Sequence, residues 1–177
     1  MKKILDFGFN YNGNPTQLVT AIDRFIAQIN RPGVYDAIFK LQWCDINSLA
    51  APTADTPTGE NWQQTLGLLE INKSLMLDII SDYQRNFPEF KVGFSYFSVT
   101  DIQTFKRMLP LSGVNVSMVK APSTHIHQPE FIRELIDLGV LLDVDIVISI
   151  GGGFDNKEEL ESAVHKTIDY FRAVHAR

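Results

Sequence analysis

Ile4-Leu5-Asp6-Phe7-Gly8-Phe9-Asn10-Tyr11-Asn12-Gly13 is the stretch whose reading decides the fold. A short apolar run stops abruptly in a turn of asparagines and glycines, and Pro15 opens a segment with helical periodicity. Proline suits the first turn of a helix, because its ring presets φ and the missing N–H has no intrahelical acceptor there anyway. The pattern predicts a strand over 4–9, a tight loop, and a helix over Pro15–Ile29. Leu18, Ile22, Phe25, Ile26 and Ile29 fall on one face of that helix. In parallel α/β folds ligands bind at the C-terminal ends of the strands. The first strand therefore ends where a small-molecule site is expected, and Asp6 is the acid best placed near that mouth.

Working outward, the same succession repeats. Residues 37–42 (AIFKLQ) read as a short apolar strand. An irregular stretch over 43–62, with prolines, threonines and Gly59, follows it. A loop of that length is either a surface insertion or a functional segment, and the sequence leaves both open. A helix is predicted over 64–86, with a break near Gly67. Strand three covers 91–97, and Ser98 or Thr100 caps a helix whose Ile102, Phe105, Met108 and Leu109 form an apolar stripe. Strand four covers 114–119. The helix after it is predicted over 129–138, with Gly139 at its C-cap. Strand five covers 145–150 and runs into Gly151-Gly152-Gly153. Asp155 or Asn156 caps a last helix, with Leu160, Val164, Ile168 and Phe171 along one side. Strict βα alternation implies a parallel sheet with right-handed crossovers. By pattern alone a flat, doubly wound sheet in shuffled strand order is favoured over an eight-stranded barrel, because the strand count fits it.

The composition bounds the function. The chain has 177 residues, 45% hydrophobic and 21% charged, which is ordinary for a folded domain with a real core. The formal net charge is −5 and there is no long basic run, which argues against nucleic acid as the main partner. An anionic substrate remains open, since local lysines can bind one inside a pocket. Cys44 is the single cysteine, so no intramolecular disulfide forms and a reducing compartment is consistent. The N-terminal residues show no apolar core of a signal peptide, and no apolar run reaches membrane-spanning length. The expected location is cytoplasmic, with no membrane association.

Lys40 lies inside the second strand pattern, between Phe39 and Leu41. Lysine is rarely buried without a partner, and alternation turns it away from its apolar neighbours, toward a lumen or pocket or toward solvent. Lys120 repeats that placement at the end of strand four. Two strand-end lysines can grip a carboxylate or a phosphate as fixed positive charges. Ser95, Ser123 and Ser149 fall at or just after strand ends three, four and five, where hydroxyls either serve turns or add hydrogen bonds to the same anion. The Ser149 stretch before a helix is not a recognised phosphate-binding fingerprint. His125 and His127, two residues apart, either help to hold a metal or are hydrogen-bonding loop residues. No nucleophile constellation stands out.

In order and spacing the following segments resemble the sialic acid synthase (N-acetylneuraminate synthase) family: the Asn10-Tyr11-Asn12-Gly13 turn, Asp36-Ala37-Ile38-Phe39-Lys40-Leu41-Gln42, residues 69–82, Gly93-Phe94-Ser95, Val119-Lys120-Ala121-Pro122-Ser123, and Val147-Ile148-Ser149-Ile150-Gly151. The resemblance covers nearly all of the chain and implies one α/β domain over 1–177 of (β/α) TIM-barrel type. The barrel is partial, with about five βα units whose parallel strands run in sequential order, which overrides the flat sheet. It implies condensation of phosphoenolpyruvate with an N-acetylmannosamine-type amino sugar, release of phosphate, and a divalent metal, manganese or magnesium. Lys40 and Lys120 fall on the family's phosphoenolpyruvate-binding lysines, and Ser123 and Ser149 on its phosphate- or carboxylate-binding serines. Asp6 falls on a glutamate that contacts the sugar and is the candidate catalytic residue. Asn10, Tyr11, Gln42 and His125 are weaker candidates for the sugar side.

The departures fall on the sugar side or on the fine placement of phosphate. Asp6 replaces a glutamate, Tyr11 a histidine, His125 a glutamate, and Ile150 the threonine of a Ser-Thr-Gly. The family's strands six to eight, with its metal-binding histidines, have no counterpart here. The expectation is little or no turnover by these residues alone, with a homo-oligomer as one way to cover open strand edges. The rival expectation is a non-catalytic module that binds an anion or a sugar.

Overall fold

The computed structural model describes residues 3–30, 36–45, 70–150 and 155–175. Within them five strands and five α-helices alternate: β1 (Lys3–Gly8), α1 (Pro15–Ile29), β2 (Ala37–Trp43), α2 (Lys73–Asn86), β3 (Lys91–Tyr96), α3 (Val99–Ser112), β4 (Val116–Ala121), α4 (Pro129–Leu142), β5 (Asp145–Ile148) and α5 (Lys157–His175). A 3₁₀ turn over Ser123–His125 follows β4. The irregular stretch beyond residue 45, the predicted helix start over 64–69 and the triple glycine at 151–153 lie outside the described residues.

All strand pairs are parallel and the order is β1-β2-β3-β4-β5. A doubly wound sheet reverses its strand order at a switch point. This sheet does not, so the shuffled arrangement that pattern alone favoured is not the one adopted. Sequential strands joined by right-handed crossovers send every helix to the same face. The ring contacts agree. Phe25 of α1 lies 5.2 Å from Phe39 of β2, and Phe105 of α3 lies 4.9 Å from Trp43 and 5.2 Å from Tyr96.

Local chemistry explains the helix starts. Asn14 caps α1 through Oδ1, which accepts from the Thr16 N–H, and Pro15 follows at the first helical position. Asn72 caps α2 and Ser98 caps α3, each accepting an N–H three residues on. Asn156 accepts from Glu159, whose carboxylate reaches back to the Asp155 N–H.

Gly139 does not end a helix. It lies inside α4, which continues to Leu142 and ends at Asp143 in the left-handed conformation, φ 53°. The glycine is there for close approach: a Cβ at that position would come within 2.5 Å of Ile146 Cγ1. Strand β5 can pack against α4 only because no side chain intervenes.

The core therefore lies between sheet and helices, built from β2, β3 and β4 residues such as Phe39, Leu41, Phe94, Tyr96 and Val119 with the apolar faces of the helices. The other face carries Ile38, Gly93 and Met118, which meet one another, together with Asp6, Lys40 and Lys120. Among the described residues β1 pairs on one side only, with β2. Its Ile4 and Leu5 are exposed, and with α1 they border an apolar groove of about 430 Å³. No described helix is long and apolar enough to cross a membrane.

Candidate functional site

Strand periodicity brings the charges together. Side chains alternate between the faces of a strand. With Phe39 and Leu41 in the helix-side core, Lys40 must point to the other face. The register pairs Asp6 with Lys40, and Ser95 with both Gln42 and Lys120. Asp6, on the neighbouring strand at the same level, receives Lys40 Nζ on Oδ1 at 2.6 Å. Lys120, two strands beyond β2, reaches the other carboxylate oxygen at 3.5 Å. One carboxylate thus bridges two ammonium groups, one oxygen to each.

The members differ in exposure. The Lys40 side chain is 2% exposed, that of Lys120 19%, and that of Asp6 51%. Burial depresses the Lys40 pKa. The hydrogen bond and charge of Asp6 oppose it, the Lys120 charge adds to it, and the net shift is downward. Burial alone would raise the Asp6 carboxyl, but the hydrogen bond and charge of Lys40, joined by the charge of Lys120, outweigh it and the net shift is down. The two results agree physically. Lys40 is enclosed, so desolvation dominates there; Asp6 faces water, so its cationic neighbours dominate.

Two buried polar atoms adjoin this cluster without a hydrogen-bond partner among the described residues: Ser95 Oγ and Gln42 Oε1. Ser95 is 1% exposed and sits in register between Gln42 and Lys120. The Gln42 amide lies over Gly8, beside the Asp6 carboxylate. Buried polar groups are nearly always satisfied, so a pair left open beside two lysines marks a place where a ligand's oxygens and hydroxyls can be received.

The remaining predicted residues are placed differently. Ser123 opens the 3₁₀ turn after β4 and is half-buried, and Ser149 follows β5, its N–H donating to the Ala121 carbonyl at 3.0 Å. Both stand at the strand ends, but no side-chain contact joins either to the lysines. Asn10 is exposed and borders a groove against α1, on the helix side. Tyr11 goes into the core. It is 1% exposed, its ring lies against Phe7 and Phe9, and burial pushes its hydroxyl pKa well up. The expected sugar contact is not what its packing serves. His125 is half-buried between Phe97 and Phe131; burial lowers its pKa and the charge of Asp101 opposes that.

Asp101 was not singled out from sequence. It is 1% exposed, and its carboxylate accepts the Asp45 N–H at 2.6 Å and the Phe97 N–H at 3.2 Å, tying the ends of β2 and β3 together. The Ser98-Val99-Thr100-Asp101 spacing of a capping box was the signal that could have found it. Cys44, also at the β2 end, is buried, and burial pushes its thiol up to about 12, so it is no nucleophile at neutral pH. Among the described residues no three His, Cys, Asp or Glu side chains gather into a set that could hold a metal ion.

Fold and site together define a parallel α/β protein with a cluster of two lysines and an aspartate on the sheet face away from its helices. No protein-family model matches the sequence, and no curated protein is significantly similar to it. Among solved structures the chain is similar to one described as spore coat polysaccharide biosynthesis protein E from Chromobacterium violaceum, with a TM-score of 0.64 and 15% sequence identity. The match covers 94% of this chain but 45% of that one, so this chain spans less than half the length of its structural neighbour. At that identity the likeness is one of fold.

Proposed function

We propose that this chain forms the phosphoenolpyruvate-binding part of a (β/α)-barrel synthase acting in carbohydrate biosynthesis, of the type that condenses phosphoenolpyruvate with an N-acetylmannosamine-type sugar. The observation that carries the reading is the convergence of Lys40 and Lys120 on one carboxylate, at 2.6 and 3.5 Å. A carboxylate held between those amines supports a seat for an anionic ligand there. Phosphoenolpyruvate carries a carboxylate and a phosphate and is costly to desolvate, so several cations and hydrogen-bond donors must converge on it. Lys40 and Lys120 supply the charge, and Ser95, Ser123 and Ser149 stand at the strand ends to donate hydroxyls. Gln42 is the described residue nearest the cluster with an amide to offer an acceptor sugar. The sequential strand order suits a partial barrel, and the structural neighbour's description as a polysaccharide biosynthesis protein points to the same area of metabolism.

The test is calorimetric titration with phosphoenolpyruvate. Binding that disappears in both Lys40→Ala and Lys120→Ala supports the reading; no binding, or binding indifferent to both changes, removes it. The rival is a non-catalytic module that binds an anion or a sugar. Phosphate release from phosphoenolpyruvate with a panel of N-acylmannosamines, with and without manganese, separates the two. Release establishes a synthase, whereas tight binding without release establishes the module.

A further inference from the structure

The place between Lys40 and Lys120 is already taken by a side chain of the protein itself. The Asp6 carboxylate offers one oxygen to each amine, as a bound carboxylate or phosphate would. Of the three side chains it is the one most open to solvent, at 51%, so an incoming anion meets Asp6 before it meets Lys40. Two lysines and one aspartate leave the cluster with a single net positive charge. Beyond Asp6 lie Ser95 Oγ and Gln42 Oε1, buried and without a hydrogen-bond partner among the described residues, so the cluster has more polar contacts to give than Asp6 uses.

The backbone around Asp6 is suited to letting go. Asp6 belongs to β1, paired only with β2 among the described strands. The β1–β2 register breaks immediately after it, passing from Asp6↔Lys40 to Gly8↔Leu41. Gly8 holds φ at +58°, a conformation that favours glycine. A carboxylate on such a strand end can move aside without unzipping a ladder on both sides.

We infer that Asp6 is an internal counter-ion occupying the anion seat, and that it selects for ligands with two anionic groups over simple monocarboxylates. The inference rests on the phosphoenolpyruvate reading above. A lone carboxylate in solution competes poorly with one tethered in place. A ligand carrying a second anionic group displaces Asp6, restores the double positive charge to its own use, and reaches the further polar atoms.

The experiment compares the unsubstituted chain with Asp6→Asn, titrating each with phosphoenolpyruvate and with pyruvate, which lacks the phosphate. Removing the tethered charge is expected to raise pyruvate affinity on the order of 10-fold. Phosphoenolpyruvate affinity should rise less, so the preference between the two narrows. Asp6→Glu serves as a second variant that keeps the charge and should widen the preference again relative to Asp6→Asn. A preference unchanged in Asp6→Asn, or both ligands weakened alike, overturns the inference. In the unsubstituted chain, the Asp6 carboxyl carbon followed by ¹³C NMR should shift toward the position of an unpaired carboxylate as phosphoenolpyruvate saturates; a stationary signal overturns it as well. Lysine-dependent phosphoenolpyruvate binding with an unchanged preference sinks this inference alone. Absence of any phosphoenolpyruvate binding sinks the reading beneath it too.

Discussion

The two faces of the sheet make opposite uses of burial. On the helix side, burial serves stability. Trp43, Phe94, Tyr96 and Phe105 interlock with rings 4.9–5.9 Å apart where they meet, and aromatic packing of this kind adds to the area they remove from water. On the opposite face, burial is turned on polar groups. Lys40 and Ser95 are each 1% exposed, and one of them has no hydrogen-bond partner among the described residues. Desolvating a charge and leaving a hydroxyl open both cost stability. A sheet that accepts those costs on one face while packing the other densely carries most of its stability on the helix side. Substitutions should therefore sort by face.

The largest effect is expected on the helix side. Phe105→Ala removes a ring that touches Trp43, Phe94 and Tyr96 and should cost about 4 kcal/mol. Urea unfolding measures it, and a loss below about 1 kcal/mol would break the contrast between the faces. Next comes Lys40→Met on the open face. The change removes one partner of an ion pair, but the Asp6 left behind is half-exposed and keeps Lys120, and the desolvation cost of the buried ammonium is relieved, so unfolding should move by no more than about 1 kcal/mol. Phosphoenolpyruvate binding, in contrast, should fall roughly 100-fold, the worth of a charge-assisted contact. A variant that loses stability and keeps its ligand would reverse the assignment of that face.

Ser98→Ala is a smaller and local test. It deprives the Asp101 N–H of its 3.0 Å acceptor and should cost about 1 kcal/mol without altering ligand affinity. The smallest effect is the pH dependence of the charged cluster. The Asp6 carboxyl titrates below its ordinary range in the folded chain, so its contribution is present above the unfolded value near 3.9 and fades as pH falls through the lower folded value. Because Asp6 is half-exposed, solvent screening keeps that contribution small. Lys40 works in the other direction. Its folded pKa is depressed, so stability should rise with pH between that value and the ordinary lysine range near 10.4. Thermal melts of the unsubstituted chain and Lys40→Met across pH 8–10.5 should diverge in slope, and parallel curves would deny Lys40 its burial cost.

Particular residues show how far the sequence could be read. Lys40 was legible because Phe39 and Leu41 flank it: once those two enter the core, a period of two leaves the lysine no other face. Lys120 followed from the same rule, between Val119 and Ala121. Tyr11 was misplaced because a turn has no period, so nothing local announces whether its ring folds inward. Gly139 was misread because glycine serves equally at a helix end and at a close approach, and only the position of Ile146 distinguishes them.

By itself the sequence determined the alternation of strands and helices, several helix starts, and that the two strand lysines turn away from their apolar neighbours. All of these arise from interactions among residues a few positions apart. Residue pattern favoured a shuffled strand order and the family resemblance implied the sequential one that the sheet adopts, while the tertiary structure alone decided that Asp6 bridges lysines from two other strands and that Ser95 lies beside them with no hydrogen-bond partner among the described residues. Those facts depend on inter-strand register, which is set by how whole strands and helices pack and leaves no periodic trace in the chain.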